Sequence, residues 1–543
     1  MKRLLLLLSF WCLLLSCAAP KEEIPHKPNI LLIVADDLGY ADLGSYGGDI
    51  DTPNLDQLAT EGIRFSRFHA APYCAVSRAM FLSGNDNHIA GMGIQGRRQG
   101  VPGYEGHLTD RIVTVPELLQ TAGYHTYMAG KWHLGREPEH HPGEKGFEKY
   151  FMTPEGGANH YNNLGLFPYA QISKYFENGE EVEWPDGAYS TDFYTDKLIE
   201  YIDSNLEDGK PFFTYAAYTS PHWPLQVNEK FWKKYEGRYD EGYEALRVKR
   251  LESLKEAGMI PDNAILPEMN SRVKPWDELS PEEQRKEARK MELYAGMVDN
   301  LDFNVGRLLD FLKEKGEYEN TIIVFMADNG AAAEDFYYRL GFMTLLQKYF
   351  TDEYEEMGKA NSFISYGPQW AEAGSSPFRY FKSYATEGGM NVPIIIAGQG
   401  LENKGEIKDT FFTLMDLAPT FYELAGVKYP EEWKGKQPKP LLGKSLIPML
   451  SGTTNDVHDA NYVFGMEHAG QAMLRKGNWK ILNHIRPFDK SNFELFDLST
   501  DLAEQNDLRE EFPEKYQEML LEWEKWSKQV GVVLPLPNSS QED

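Results

Sequence analysis

The sequence predicts an α/β fold: a large mixed, mostly parallel sheet with helices on both faces, followed by a smaller C-terminal α+β domain with an antiparallel sheet. Near-continuous apolar runs at 29–35, 212–218 and 321–327 are typical of strands buried on both faces of a parallel sheet. Amphipathic helical segments separate these runs, which is the alternation expected of an α/β protein. Short strand patterns near the C-terminus predict the second domain.

The N-terminal half alternates strands with helices. After the first strand, Thr52 and Pro53 supply an N-cap and a first-turn proline for a helix. A second helix is predicted to begin at Val115, and a strand at 125–129 follows it.

The alternation continues through the middle of the chain. An amphipathic helix at 192–206 precedes the strand at 212–218, and a long helix at 293–315 precedes the strand at 321–327. One more strand is predicted at 392–397.

The C-terminal part has a different pattern. Short apolar segments at 472–475, 479–482 and 493–497 are separated by turn residues, which predicts an antiparallel sheet. An amphipathic helix at 512–528 is expected to close this domain.

The N-terminus resembles a bacterial export signal. Residues 1–17 begin with positive charge and continue with an apolar run at 4–15, which is too short for the roughly 20 residues of a membrane-spanning helix. The run ends in a lipobox-like sequence, so lipid is predicted on Cys17, with simple cleavage after Ala18 or Ala19 as the alternative. We therefore expect export to the bacterial periplasm or cell envelope, with membrane attachment through Cys17.

Net charge and cysteine content limit the classes of function that the chain can have. The formal net charge of −28 over 543 residues argues against a nucleic-acid partner. Of the three cysteines, Cys12 and Cys17 lie in the leader, so Cys74 remains alone and no internal disulfide is expected. Cys74 precedes a predicted helix at 77–82, where the helix dipole favours negative charge, so a plain thiolate nucleophile is one hypothesis.

Polar side chains follow two of the predicted strands. Asp36 and Asp37 come after the first strand, and Asp328 and Asn329 come after the strand at 321–327. Ligands of open α/β sheets bind at the carboxyl edge of the strands. Because these side chains offer only oxygen, they predict a hard cation, with Ca²⁺ favoured over Mg²⁺ for an irregular shell of high coordination.

A group of basic side chains is expected to lie near these carboxylates. Arg78, Lys131, His133, His222 and Lys382 stand in segments expected near the same edge of the sheet. Together with a metal, such a group predicts a site for a compact oxyanion such as sulfate or phosphate.

These residues carry a resemblance to a known family. The segment Cys74-Ala75-Val76-Ser77-Arg78, with Phe81-Leu82-Ser83-Gly84 downstream, resembles the sulfatase signature, in which the cysteine is oxidised to formylglycine (3-oxoalanine). Further segments resemble sulfatase blocks and occur in sulfatase order: 28–37, 130–135, 220–224, 328–330 and 387–393. The segment 361–393 is especially similar to bacterial arylsulfatases.

The resemblance implies an alkaline phosphatase-like fold and a role for each residue around the nucleophile at position 74. Cys74, as hydrated formylglycine, would attack sulfur through one hydroxyl, assisted by Asp328 or its metal environment. Arg78 would hold the hydrated aldehyde, and His133 would take the remaining hydroxyl proton to release sulfate. The implied Ca²⁺ ligands are the strand-end oxygens and the converted cysteine: Asp36, Asp37, Cys74, Asp328 and Asn329.

The resemblance also implies how substrate binds. Lys131, His222 and Lys382 would bind sulfate oxygens, and His222 or Lys382 would protonate the leaving group. The implied activity is arylsulfatase-type hydrolysis of sulfate monoesters, either aryl sulfates or terminal sulfated sugars. A formylglycine-generating maturation enzyme is an implied partner, and Val76 stands where its recognition motif usually has Pro or Ala.

Two alternatives stay open. Related folds use the same metal and cations on phosphate, so a phosphate or phosphonate monoester hydrolase is one. A non-catalytic lipoprotein that binds sulfated glycans is the other.

The predicted segments, in chain order, are a signal peptide at 1–17, a tether at 18–27, a catalytic domain at 28–429, a C-terminal α+β subdomain at 430–533 and a flexible tail at 534–543.

Overall fold

The computed structural model describes residues 27–95 and 100–535. The predicted signal peptide with Cys17, nearly all of the tether, and tail residues 536–543 lie outside the described residues. Within the described ranges, no helix combines the length and the apolar character required to cross a membrane.

Strands and helices alternate along most of the described chain. The strands are β1 (Asn29–Ala35), β2 (Gly62–Phe65), β3 (Phe68–His69), β4 (His125–Lys131), β5 (Lys149–Thr153), β6 (Leu164–Phe167), β7 (Ala170–Ile172), β8 (Tyr175–Glu177), β9 (Glu180–Val182), β10 (Phe212–Ala217), β11 (Thr321–Ala327), β12 (Ile394–Ala397), β13 (Ile407–Lys408), β14 (Phe412–Thr413), β15 (Val463–His468), β16 (Gln471–Lys476), β17 (Trp479–Asn483) and β18 (Glu494–Asp497). The helices are α1 (Pro53–Glu61), α2 (Cys74–Ser83), α3 (Asn87–Ala90), α4 (Val115–Thr121), α5 (Ser190–Asp203), α6 (Glu229–Trp232), α7 (Gly242–Glu256), α8 (Pro281–Lys315), α9 (Met343–Tyr349), α10 (Gly367–Gly374), α11 (Glu387–Met390), α12 (Leu417–Leu424), α13 (Ile447–Leu450) and α14 (Pro513–Val530).

The main sheet has the order β13-β2-β12-β11-β1-β10-β4-β5-β8-β9. Its central strands β11, β1, β10, β4 and β5 are parallel, whereas β12 runs antiparallel to both β11 and β2. Every residue of β1 and β11 is buried, as their continuous apolar sequences require. The predicted fold class, a large mixed sheet with helices, is confirmed.

Several element boundaries differ from the sequence prediction, among them those of β4 and α8. Strand β4 continues to Lys131, so this lysine ends the strand itself instead of following it. Helix α8 begins at Pro281, well before the predicted start at 293. The reason is a capping box: the Glu283 N–H donates to Ser280 Oγ at 3.3 Å, and the Ser280 N–H donates to Glu283 Oε2 at 2.7 Å.

The C-terminal domain is an antiparallel sheet, as predicted. Strands β15 to β18 pair in sequence order, and β15 is a strand that the sequence reading missed. Helix α14 packs on this sheet through Trp523 and Trp526, which are both buried.

A buried ion cluster joins the C-terminal sheet to the main domain. Lys480 of β17 has its Nζ 2.8 Å from Glu387 Oε1 and 2.7 Å from Glu504 Oε1. The other oxygen of Glu387 lies 2.8 Å from His69 Nε2. Because Glu387 begins α11, shortly after Lys382 in the chain, this cluster also fixes the segment that carries Lys382.

Gly130 is expected to be essential for the spacing of β4 and β10. It pairs with Ala217, its φ is +120°, and a Cβ there would lie 1.8 Å from the Ala217 carbonyl oxygen. Gly130→Ala should lower the free energy of unfolding, measured with urea, by at least about 3 kcal/mol. Gly123→Ala is the matched control, because its φ is +89° but open space surrounds it, so about 1–2 kcal/mol is expected. Equal losses would contradict the importance of the close contact.

Lys480→Met tests the buried ion cluster. Removing the ammonium leaves Glu387 and Glu504 buried without their cation, so the free energy of unfolding should fall by about 3–5 kcal/mol in denaturant titrations. Lys476→Met, on the neighbouring strand β16 and partly exposed, removes only the solvent-screened pairs with Glu518 and Glu522 and should cost about 0–1 kcal/mol. A Lys480→Met loss no larger than that of the control would show that the cluster adds nothing to stability.

Candidate active site

Two neighbouring strands deliver the acidic half of the site. Strands β1 and β11 are paired in parallel up to Ala35 and Ala327, so the residues that follow them meet at one edge of the sheet. The ligand atoms of Asp36, Asp37, Cys74 and Asp328 all lie within 4.8 Å of one another, and all four residues are buried.

The backbone of Asp37 explains how two consecutive carboxylates reach the same cluster. Its φ of 70° is left-handed, whereas in a continuing strand successive side chains would point to opposite faces. The Asp37 N–H donates to Asp328 Oδ1 at 3.3 Å, and Asn329 Nδ2 donates to Asp37 Oδ1 at 2.6 Å.

Cys74 is the first residue of α2, which begins earlier than the predicted 77–82 helix. Its Sγ lies 3.7 Å from Asp37 Oδ1. Burial raises the pKa of the Cys74 thiol well above its ordinary value, although Lys131 and Lys382 act in the opposite direction. Burial therefore disfavours a plain thiolate at Cys74 and acts against the helix dipole.

Each carboxylate of the cluster faces a buried cation. The pairs are Lys131 Nζ with Asp36 Oδ2 at 2.7 Å, Lys382 Nζ with Asp37 Oδ2 at 2.8 Å, and Arg78 Nη2 with Asp328 Oδ2 at 2.8 Å. Burial disfavours the charge of Lys382, but Asp37 and the other acidic neighbours together raise the pKa of Lys382 well above its usual value. The site is thus dense in charge of both signs.

Tyr215 is a site residue that the sequence reading missed. Arg78 Nη1 donates to Tyr215 Oη at 3.0 Å and to the Lys131 carbonyl oxygen at 2.7 Å. These bonds hold the guanidinium in place. Tyr215 stands inside the apolar run of β10, where nothing in the sequence distinguishes it from a core aromatic residue.

His133 lies beside Cys74 in the lining of a cavity. Its φ is 59°, and its Nδ1 is buried without a hydrogen-bond partner among the described residues. Burial, together with Lys131 and Arg78, lowers the pKa of His133 well below its usual value. Its ring is therefore held in the neutral form, with one nitrogen that has no hydrogen-bond partner among the described residues.

His222 approaches the cluster from the segment after β10. Its Nδ1 lies 2.7 Å from the Trp223 carbonyl oxygen, and its Nε2 lies 3.4 Å from Asp37 Oδ2. Burial lowers the pKa of His222 to about 3, although Asp37 opposes the shift.

The oxygen-rich side of the cluster fits a hard divalent cation. Burial and the neighbouring Asp36 raise the pKa of Asp328 to about 6, so the protein cations compensate this carboxylate only in part. Burial acts in the same direction on Asp37, but Lys382 and the other basic neighbours together lower the pKa of Asp37 below its usual value. Asn329 Oδ1 is buried, and no group in the described chain donates to it. A metal bound by these oxygens would remove both penalties.

The cavity above Cys74 has a volume of about 210 Å³. Cys74, His133, His222 and Lys382 line one part of it, and the remaining lining includes residues that the sequence reading missed: Arg136, Phe167, Tyr169, Trp223, Glu334 and Phe336. Those residues come from loops and short strands without a spacing pattern. Each residue predicted for the metal and oxyanion site either lines this cavity or belongs to or contacts the buried carboxylate group.

Comparison with known proteins agrees with this geometry. The sequence matches the family described as Sulfatase over residues 28–427 and the family described as N-sulphoglucosamine sulphohydrolase, C-terminal, over residues 377–529. An uncharacterized sulfatase of Schizosaccharomyces pombe is 40% identical, covering 94% of this chain and 96% of that protein. An arylsulfatase of Klebsiella aerogenes is 38% identical, covering 78% of this chain and 91% of that protein.

A solved structure supports the same assignment. The crystal structure of Ps i-CgsB in complex with k-i-k-neocarrahexaose is 26% identical with a TM-score of 0.66, and covers 95% of this chain and 94% of that chain. The chain therefore belongs to the sulfatase family of sulfuric ester hydrolases.

Proposed function

We propose that the protein cleaves sulfate monoesters, aryl sulfates or terminal sulfated sugars, through a hydrated formylglycine made from Cys74 and with Ca²⁺ as its metal. The observation that carries this proposal is the position of Cys74: it begins α2 inside a buried group of carboxylates and cations. The similarity to the Klebsiella aerogenes arylsulfatase supports the aryl part.

The metal would be held by the strand-end oxygens of Asp36, Asp37, Asp328 and Asn329, with the converted Cys74 as a further ligand. Ca²⁺ suits this mixed amide and carboxylate set better than Mg²⁺, which demands near-octahedral geometry. When present, the metal neutralises charge on sulfate oxygens and the hydrated aldehyde supplies an oxygen nucleophile for sulfur.

The protein's own side chains provide the rest of the chemistry. Lys131, His222 and Lys382 surround the place of the sulfate oxygens, and their fixed positions are the kind of preorganised stabilisation that supplies much of catalysis. Lys382 Nζ carries protons that the leaving oxygen can take. His222 is the second candidate, but it first has to gain a proton, because burial holds its ring neutral. The unpaired Nδ1 of His133 accepts a proton from position 74 when sulfate leaves.

We also propose that the chain is exported and lipid-anchored. The support is the leader at 1–17 with its lipobox-like end at Cys17. In this setting the formylglycine-generating enzyme and a membrane surface are its expected partners.

Mass spectrometry of the Cys74 peptide tests the nucleophile. In protein from the native host, we expect a loss of about 18 mass units, which corresponds to oxidation of the thiol to an aldehyde. The same preparation should hydrolyse 4-nitrophenyl sulfate, and Cys74→Ala should abolish turnover without changing the fold by circular dichroism.

The other outcomes select the alternatives. An unmodified cysteine and no turnover would contradict the proposal and leave binding of sulfated glycans. Faster turnover of 4-nitrophenyl phosphate than of the sulfate would instead identify a phosphate monoester hydrolase.

Metal removal tests the cation. Chelation should lower the melting temperature, and Ca²⁺ should restore it at lower concentration than Mg²⁺, because only the folded state offers the site. Asn329→Ala should weaken Ca²⁺ binding, measured by calorimetry, by about 10–100-fold. Asn461→Ala, an exposed amide in the C-terminal domain, is the control and should bind as the wild type does. Unchanged Ca²⁺ binding in Asn329→Ala would remove this residue from the ligand set.

A further inference from the structure

The part of the cavity away from the sulfate-binding cations has an aromatic wall. The ring of Trp223 lies 4.8 Å from that of Phe336 and 6.1 Å from that of Phe167, measured between centroids. All three rings pack against a small buried cluster that includes Phe363. Because the cluster fixes the rings, the wall is preformed and suits the flat face of a ring-shaped ligand.

The charge of Arg136, at the rim of this wall, is already compensated. Arg136 Nη2 lies 3.0 Å from Glu155 Oε2, and its guanidinium stands 4.2 Å from the ring centroid of Tyr169. Tyr169 in turn stacks on Phe167 at 5.2 Å. Arg136 therefore does not offer a free positive charge to a second anionic group of a substrate.

Glu334 places a carboxylate in this part of the cavity, and its charge attracts the ammonium group of Lys382. Its Oε1 accepts a hydrogen bond from Ser383 Oγ at 3.1 Å. Its Oε2 is buried, and the described chain provides no donor to it. The indole Nε1–H of Trp223 is also buried without an acceptor there. Buried polar atoms are normally paired, so these two atoms await hydrogen bonds from a ligand.

The two parts of the cavity thus differ in charge. His222 and Lys382 line the part next to the proposed sulfate position, whereas Glu334 adds a negative charge to the part with the aromatic wall and has one oxygen to which no described group donates. A second sulfate or carboxylate on the leaving group would meet this carboxylate at short range, and a hydroxyl or ammonium would find an acceptor.

We propose that Glu334, Trp223, Phe336 and Phe167 form the leaving-group subsite, which selects sulfate esters of a ring that carries a hydroxyl or ammonium donor and no second anion. This inference rests on the proposed sulfatase activity and specifies its substrate class. Aryl and sugar rings share the required chemistry, so the experiment includes both.

A matched substrate series tests the charge preference in the wild type. The compounds are 4-(2-aminoethyl)phenyl sulfate, 4-propylphenyl sulfate and 4-(2-carboxyethyl)phenyl sulfate, whose spacer keeps the phenolic leaving group chemically alike. We expect kcat/KM to fall by about 10-fold at each step from ammonium to neutral to carboxylate. Comparing glucosamine 6-sulfate with N-acetylglucosamine 6-sulfate repeats the ammonium-to-neutral comparison on a sugar. The ring type, aryl or sugar, that gives the higher kcat/KM identifies the class of the natural substrate.

Glu334→Gln then assigns the preference to one residue. In this variant the kcat/KM values of the three aryl sulfates should lie within about 3-fold of one another, because the charge of residue 334 is lost while its shape is kept. Glu314→Gln is the matched control: Glu314 is exposed near the end of α8, before β11 begins, and should keep the wild-type spread. If Glu334→Gln folds poorly, Glu334→Asp should retain the order of preference.

Each outcome has a distinct meaning. Equal kcat/KM across the series in an active wild type, or an unchanged spread in Glu334→Gln, would overturn the inference and leave the sulfatase activity intact. If protein with converted Cys74 hydrolyses none of the sulfate esters, the proposed function is overturned, and the inference with it.

Discussion

Compensation of buried negative charge is the constraint on which this structure depends. Asp36, Asp37 and Asp328 lie together in the interior, where isolated carboxylates are very unfavourable. Three cations from separate parts of the chain pair with these carboxylates: Lys131 at the end of β4, Arg78 on α2 and Lys382 before α11. Any change that shifts one of these elements leaves a buried charge unpaired, which is why the sheet edge and the loops around it are packed so closely.

The parallel sheet makes this arrangement possible. Its central strands deliver polar residues to a single edge, and the left-handed turn at Asp37 brings two neighbouring carboxylates to one point. Helix α2 adds Cys74 at its first residue, and the C-terminal sheet holds the Lys382 segment through Lys480. The same charge pattern that costs stability suits the site to the metal and the tetrahedral anion of the proposed function.

The sequence was sufficient to predict the central strands β1, β10 and β11 and the polar residues that follow them, because apolar runs buried on both faces are a strong signal. The sequence did not predict many of the short strands, β15 among them. It could not reveal the pairing of Arg78 with Asp328, which are far apart in the chain, or the role of Tyr215 inside an apolar strand. Glu334 and Trp223 were also beyond reach. They lie in loops, where side-chain positions follow from tertiary packing and not from any periodic pattern.

Burial of Cys74 also fixes when its proposed conversion can occur. Only 1% of Cys74 is exposed in the folded chain, and Val76 is fully buried in the same helix. An enzyme that modifies Cys74 therefore has to reach it before α2 packs against the sheet. Val76, which replaces the usual Pro or Ala, serves as a core residue once the chain is folded. Its effect on conversion must arise in the extended chain, so folded stability and maturation efficiency place separate demands on this position.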